Sequence, residues 1–281
     1  MRVRELGSNR GTMQILTAAR VYLLAAFLMV GMMAVRVPAA GQANQGREQF
    51  VASESLEPSG PSASADQIFV DLVKHNEVRN AGLREYSAVR TYAVTDLHGK
   101  VHAKETVRMD YVAPDKKTFV TIAEQGSALV RHLVLKRLME SEVSAAVGQD
   151  HRDSSITPAN YTFQVVGQED LGVHHCFVVD AVPKRKDTYL FEGKIWIDSS
   201  EFAVVKIAGH PARSLSFWIT RADFVREYEK IGDFWLPARD ETFVDVKFYG
   251  TKILRIEHRI DSVNGVTNTA LAAEFNSRPP P

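Results

Sequence analysis

The chain has 281 residues, 45% of them hydrophobic, which is enough for one large domain or two small ones with a real core and excludes disorder throughout. Lysine plus arginine and aspartate plus glutamate both total 34, so no net field draws the protein over long distances to nucleic acid or anionic lipid. A single cysteine, Cys176, excludes an internal disulfide.

Arg2, Arg4, Arg10 and Arg20 precede the apolar run Val21 to Val35, which ends at Arg36 and the small-residue segment Val37-Pro38-Ala39-Ala40. Charged, apolar and cleavage regions in that order read as a secretory signal peptide over residues 1–40. The run has 15 residues, short of the ~20 that span a bilayer, so retention as an inner-membrane anchor is the second reading. Cleavage near Ala39 to Ala43 leaves an exported chain, periplasmic or secreted. A cut after Ala40 leaves 29 basic against 33 acidic residues, a mildly acidic mature protein. No cysteine stands at the cleavage site, which excludes the lipid-modified class of exported proteins.

Residues 41–65 are mostly Gln, Asn, Ser, Pro, Gly and Glu and read as a flexible linker. Structure is predicted to begin at Asp66, an N-cap candidate, with Ile68, Phe69, Leu72 and Val73 at helical spacing and a helix end near Asn80-Ala81-Gly82. Tyr86 to Thr95 and Val101 to Tyr111 alternate on either side of Asp96-Leu97-His98-Gly99-Lys100, the pattern of a hairpin. A third strand follows over Lys117 to Ala123. Ser127 to Val147 then places Leu129, Val130, Leu133, Val134 and Leu138 at helical spacing, a second amphipathic helix.

Ser154 to Pro158 is a polar break, after which short aromatic and β-branched runs repeat as far as Ile260. Tyr161, Phe163 and Val165 share a face, and Gly167 to Gly172 reads as the next turn. Val173, His175, Phe177 and Val179 share the following face, then Ile195 with Ile197, Phe217 with Ile219, Thr242 to Phe248, and Leu254 to Ile260. Trp196, Trp218, Phe243 and Tyr249 fall on the opposite side, so either both faces are covered or one encloses an apolar hollow. Eight or more strands can curl far enough to make such a hollow. The expected fold is α+β and mainly β: a curved antiparallel sheet over residues 66–263, with helices as a lid and a tail at 264–281.

Two landmarks stand out, Lys194-Ile195-Trp196-Ile197-Asp198 and Gly232-Asp233-Phe234-Trp235-Leu236-Pro237. With the signal peptide and the helix before the first hairpin, they resemble the periplasmic lipoprotein-sorting superfamily. That superfamily includes the outer-membrane lipoprotein carriers and the sensor domain that controls envelope stress. The resemblance covers roughly Asp66 to Ile260, and it implies an unclosed half-barrel with a helical lid over an apolar cavity that receives acyl chains.

The aliphatic and aromatic rows supply the candidate cavity lining: Phe163, Phe177, Ile195, Ile197, Phe217, Ile219, Val244, Val246 and Ile256. Leu129, Leu133 and Leu138 are the candidate lid contacts. No catalytic residue, metal site or cofactor is expected. His174-His175-Cys176 is the one dense cluster of metal-ligand types, but alternation along a strand points His174 and Cys176 one way and His175 the other, two ligands at best. Cys176 lies mid-strand, where a thiol behaves as a small hydrophobe. Asp223, Glu227 and Glu229 beside Arg221, Arg226 and Lys230 read as cross-strand pairing.

Three functions follow, in order of support. The first is a non-catalytic envelope protein holding a lipid or the acyl chain of a lipoprotein; the second is an interaction or sensor module with an envelope protein as partner. The third is a metal-dependent hydrolase built on His174, Cys176 and a distant histidine. N-terminal sequencing of the exported protein is expected to start between Ala39 and Ala43, and an intact Met1 would establish the anchor instead.

Overall fold

The computed structural model describes residues 65–114, 116–145, 156–187, 190–214 and 217–269. The expected signal peptide, the linker 41–65 except Ala65, which opens the first helix, and most of the tail lie outside the described residues. Helix α1 (Ala65–Gly82) buries Ile68, Phe69, Leu72 and Asn76 at three- and four-residue spacing. Strands β1 (Glu85–Asp96), β2 (Val101–Val112) and β3 (Lys116–Gly126) follow as a meander. The first turn is held by Asp96, whose side chain accepts from the His98 and Lys100 amides.

The second helical segment has three parts: α2 (Ala128–Val130), a π-helical turn (Arg131–Lys136) and α3 (Arg137–Ala145). Seven strands then run in hairpins: β4 (Tyr161–Leu171), β5 (His174–Pro183), β6 (Phe191–Asp198), β7 (Val204–Pro211), β8 (Ile219–Ile231), β9 (Phe234–Val246) and β10 (Gly250–Val263). Past Val263, where a tail was expected, Asn264 and Gly265 turn the chain and β11 (Val266–Thr267) pairs back onto β10.

All eleven strands form one antiparallel sheet, ordered β3-β2-β1-β10-β9-β8-β7-β6-β5-β4, with β11 beside β10. Every neighbouring pair along that order is a sequential hairpin except β1 with β10, which run from Tyr86 opposite Val263 to Asp96 opposite Lys252. β3 and β4 are the two edges and do not pair, so the sheet is an unclosed half-barrel with a helical lid, as expected. Residues opposite one another in antiparallel strands share a face. One inner row therefore crosses the sheet as Tyr92, Ile256, Asp240, Arg226, Ile207, Ile195, Val179 and Val165. Both helical segments pack on this face.

Three local expectations change. The turn read at Gly167 to Gly172 is narrower: Val166 is the extra residue of a bulge, Gly167 pairs with Val178, and β4 continues to Leu171. Val173, read as a strand residue, sits in the turn that remains and is 88% exposed. Phe217 and Phe248, read as strand residues, lie in the turns before β8 and after β9 and project to solvent. Alternation reads the parity of a side chain, but not the residue at which a turn interrupts it.

A close approach between β6 and β7 fixes where the large rings sit. Gly193 faces Gly209, and a β-carbon on Gly193 would stand 2.1 Å from the Ala208 carbonyl oxygen. A β-carbon on Gly209 would meet the Glu192 carbonyl at 2.4 Å and the Phe191 ring at 2.9 Å. Phe191 and Phe224 meet edge to face beside this gap, 5.5 Å between centroids. Gly209→Ala is expected to lower stability by ~1–3 kcal/mol or more, because the obstruction is backbone as well as ring. Gly167→Ala, with open space at its β-carbon, serves as the control in urea unfolding; equal midpoints for the two variants would refute the packing account.

Candidate functional site

The inner face carries three apolar clusters, and the two larger ones lie under helical segments with a charged belt between them. Over β4–β8 it is covered by α1 and by the sheet's own aromatics. Phe69 of α1 stacks on Phe163 at 3.7 Å, Tyr161 adjoins Phe191 at 5.4 Å, and Phe191 adjoins Phe224. Over β1, β2 and β10 it is covered by the lid: Val130, Val134, Leu135, Leu138 and Met139 pack with Tyr92, Val94, Val107, Leu254 and Ile256.

The lid starts at a turn set by backbone contact. Gly126 has φ 79, and a β-carbon there would lie 2.5 Å from the His102 carbonyl oxygen, so the exit from β3 requires glycine. Ser127 then caps α2 by accepting from the Val130 amide at 3.3 Å. The π-helical turn widens the spacing of the segment. Leu129 is left 49% exposed while Val134, Leu135 and Leu138 are fully buried.

At its far end the lid is tied down by charge. Glu142 accepts two bonds from Arg90, at 2.8 and 3.0 Å, and one from Lys117 at 2.6 Å. The Arg90 side chain is 2% exposed and that of Glu142 13%. Burial alone would raise the Glu142 pKa, but the Arg90 and Lys117 charges dominate and hold it well below the usual carboxylate range. Beside Arg90 on the same face, His258 Nε2 meets Asp240 Oδ2 at 2.9 Å, and Arg226 donates to both Asp240 oxygens at 2.6 and 3.1 Å. Burial opposes the Asp240 charge as well, and Arg226 with the His258 bond overrides it. The His258 pKa is lowered, first by burial and then by the Arg90 charge, so its ring is held neutral as a donor to Asp240. Thr242 Oγ1 and His258 Nδ1 are buried with no hydrogen-bond partner among the described residues.

Between the lid and β3 lies an open groove of about 590 Å³, bordered by Lys117, Phe119, Thr121, Arg131, Met139 and Val143. Its lining mixes charge with apolar surface. β3 itself is a free edge on which Val120 and Ile122 are 59% and 58% exposed.

The two sequence landmarks converge on one turn. Asp198, 4% exposed, accepts from the Ser200 and Glu201 amides at 2.9 and 2.8 Å and from the Ser200 hydroxyl at 2.6 Å. Glu201 then accepts from Trp235 Nε1 at 2.9 Å and pairs with Lys230, while Arg79 of α1 donates to the Glu201 and Phe202 carbonyls, both at 2.8 Å. Trp196 Nε1 donates to Glu169 at 2.7 Å. Both landmarks therefore hold β6, β9 and α1 together.

His174, His175 and Cys176 each have a local partner. His174 Nδ1 pairs with Asp198 at 3.0 Å, His175 pairs with Asp170, and the Cys176 thiol donates to the His174 carbonyl at 3.7 Å. Burial, with Asp198 nearby, pushes the Cys176 thiol up to about 11, which keeps it protonated at neutral pH. Among the described residues no three His, Cys, Asp or Glu side chains are grouped to hold a metal ion.

Of the residues read as cavity lining, Phe163, Phe177, Ile195 and Ile197 come together in the α1-covered half. Ile256 meets Leu138 beneath the lid. Ile219, Val244 and Val246 are buried outside both groups, Phe217 is 76% exposed, and Leu133 is half-buried. The charged belt was missed as a unit. Its signal was present in the sequence as a charged or polar residue on each apolar row: Arg90 between Ala88 and Tyr92, Asp240 before Thr242 and Val244, and His258 between Ile256 and Ile260.

No family model matches the sequence, and no curated protein does. Among solved structures, the chain is similar to a putative outer membrane lipoprotein-sorting protein domain from Vibrio parahaemolyticus. The identity there is 11%, over 74% of this chain and 98% of that one, with a TM-score of 0.39. A DUF1329 family protein from Desulfovibrio piger is 12% identical over 73% and 96% of the chains, with a TM-score of 0.38. A LolA superfamily protein from Nitrosomonas europaea is 10% identical over 76% and 100%, with a TM-score of 0.35. The likeness is one of fold. No helix of the described residues is long and apolar enough to cross a membrane.

Glu142→Gln keeps the shape of the side chain but leaves Arg90 buried without a full charge partner, an expected loss of ~3–5 kcal/mol. The pH dependence has a defined sign. Glu142 and Asp240 have folded pKa values below their unfolded values of about 4, so their stabilisation is present above about pH 4 and lost on acidification. His258, also lowered, contributes stability above its unfolded pKa of about 6.5 and loses it as pH falls. Thermal melts are expected to be flat above about pH 7, to decline through pH 6 and 5, and to fall more steeply below about pH 4. His258→Gln should flatten the upper part alone, and an unchanged profile would refute the assignment.

Proposed function

We propose that this protein is a non-catalytic binding protein of the cell envelope, which receives the acyl chain of a lipid or of an acylated protein on the inner face of its half-barrel. The observation that carries the reading is the lid. Its apolar side chains occupy the Tyr92, Val94, Leu254 and Ile256 surface, and its far end is held by the Glu142 ion pairs. Swinging the segment out about Gly126 uncovers an apolar surface, and each methylene buried there contributes about 0.8 kcal/mol. Affinity then needs no dedicated polar chemistry. Thr242 and His258, each with an unpartnered buried atom, supply polar contacts for the head of the ligand.

Native mass spectrometry of protein purified from the envelope is expected to show co-purifying lipid, and Glu142→Gln to speed uptake of a fluorescent fatty acid. Repeated recovery of ligand-free protein that binds no acyl probe would sink the reading.

A second reading has its own support, because α1 and five aromatic rings already fill the β4–β8 half. A filled interior favours an interaction or sensor module that presents its surface to an envelope protein. Pull-down separates the two: a stoichiometric partner retained when Leu254 and Ile256 are made polar without unfolding supports the module.

A further inference from the structure

Four large rings stand out from one end of the sheet: Phe217, Trp218, Phe248 and Tyr249, exposed by 76%, 46%, 89% and 39%. They come from two neighbouring turns, residues 217–218 before β8 and 247–249 between β9 and β10. The Lys247 amide donates to the Trp218 carbonyl at 2.9 Å and ties the turns together. Phe217 meets Trp218 edge to face at 5.6 Å, Trp218 meets Phe248 at 6.4 Å, and Lys247 Nζ lies 3.7 Å from the centre of the Phe217 ring. The rings form a preassembled ledge.

Folding alone does not explain it. Phe248 holds φ 68 at the third position of a four-residue turn closed by the Tyr249 amide on the Val246 carbonyl at 3.1 Å. Glycine adopts that conformation without strain, and a bulky side chain does not. Apart from its edge contact with Trp218, the ring does nothing for the turn's backbone, and most of its apolar surface points into water.

The charge around the ledge is locally basic although the whole chain is balanced. Arg213, Arg221, Lys247 and Lys252 lie in the two chain ends that carry the rings, against Asp223 and Asp245. Asp223 is paired with Arg221, and Asp245 accepts from Thr251 at 2.6 Å. Beside the ledge, a hollow of about 350 Å³ is bordered by His210, Arg213, Thr220 and Arg221. Aromatic rings flanked by cations match the interfacial zone of a bilayer, where Trp and Tyr settle at headgroup level and each nearby Lys or Arg gains about 1 kcal/mol from anionic lipid.

We propose that this ledge is a membrane-contact site, which seats Phe217, Trp218 and Phe248 in the headgroup region of an anionic bilayer while Arg213 and Lys247 meet the lipid phosphates. The contact goes beyond the acyl-binding reading and does not rest on it, since it requires nothing beneath the lid.

Trp218 is a built-in reporter, because the other two of the three tryptophans, Trp196 and Trp235, are 8% and 5% exposed. Exported protein mixed with phosphatidylcholine vesicles containing phosphatidylglycerol should show a blue-shifted Trp218 emission that brominated lipid quenches. Salt, or phosphatidylcholine alone, should weaken the shift. Phe248→Gly relieves the turn, so its Tm should equal or exceed that of the parent while vesicle affinity falls about tenfold or more. Three outcomes overturn the proposal: no blue shift with anionic vesicles, equal binding by Phe248→Gly, or self-association without lipid that Phe248→Gly abolishes. The last would make a second copy of the chain the occupant. Fatty-acid uptake by Phe248→Gly should match the parent, which separates failure here from failure of the acyl-binding reading.

Discussion

An antiparallel sheet that never closes must have its apolar inner face covered by something other than its own strands, and the rest of this structure follows from that constraint. β3 and β4 end the sheet without meeting, so the inner rows stay open to whatever segments lie nearest. The chain supplies two: α1, leading into β1, and the lid, which occupies the connection between the two edges. Covering each half with a different segment makes the halves unequal. The α1 half is interlocked with aromatic rings, whereas the lid half is covered by a segment that leaves β3 at Gly126 and is pinned at Glu142.

Between the halves the charged belt acts in two directions. Arg90 is neutralised by a residue of the lid, and Asp240 by Arg226 within the sheet, so only the first pairing depends on the lid being closed. Removing the lid leaves a buried guanidinium without its partner, an arrangement that costs more than loss of a surface ion pair. Closure is therefore favoured by charge as well as by burial of Val134, Leu135 and Leu138. The same burial keeps His258 neutral, which adds a pH-sensitive group to a region that otherwise titrates only in strong acid.

The conspicuous tryptophan motifs have a different role from the inner face. Asp198 builds the β6–β7 turn, Glu201 passes from that turn to Trp235, and Arg79 of α1 closes over the same carbonyls. These contacts fix the angle between α1 and the sheet. They are structural: Asp198, the one buried carboxylate of the two motifs, is taken up by the Ser200 and Glu201 amides of the turn it builds.

The residues by themselves determined much of the architecture. Alternation located most of the strands, helical spacing located α1 and the lid, and the Lys194 to Asp198 and Gly232 to Pro237 landmarks matched the half-barrel found. These signals are local, and a period of two or of 3.6 is complete within a few residues. What only the tertiary structure decided is non-local: that β1 pairs β10 from opposite ends of the domain, that Arg90, Glu142 and Lys117 meet, and that Phe217 and Phe248 fall in neighbouring turns rather than on strands. Pairing of distant segments depends on chain reversal and register, neither of which is written at any one position. A charged residue on an apolar row, such as Arg90, Asp240 or His258, is visible in sequence as an exception, but its partner is named only when the sheet brings the strands side by side.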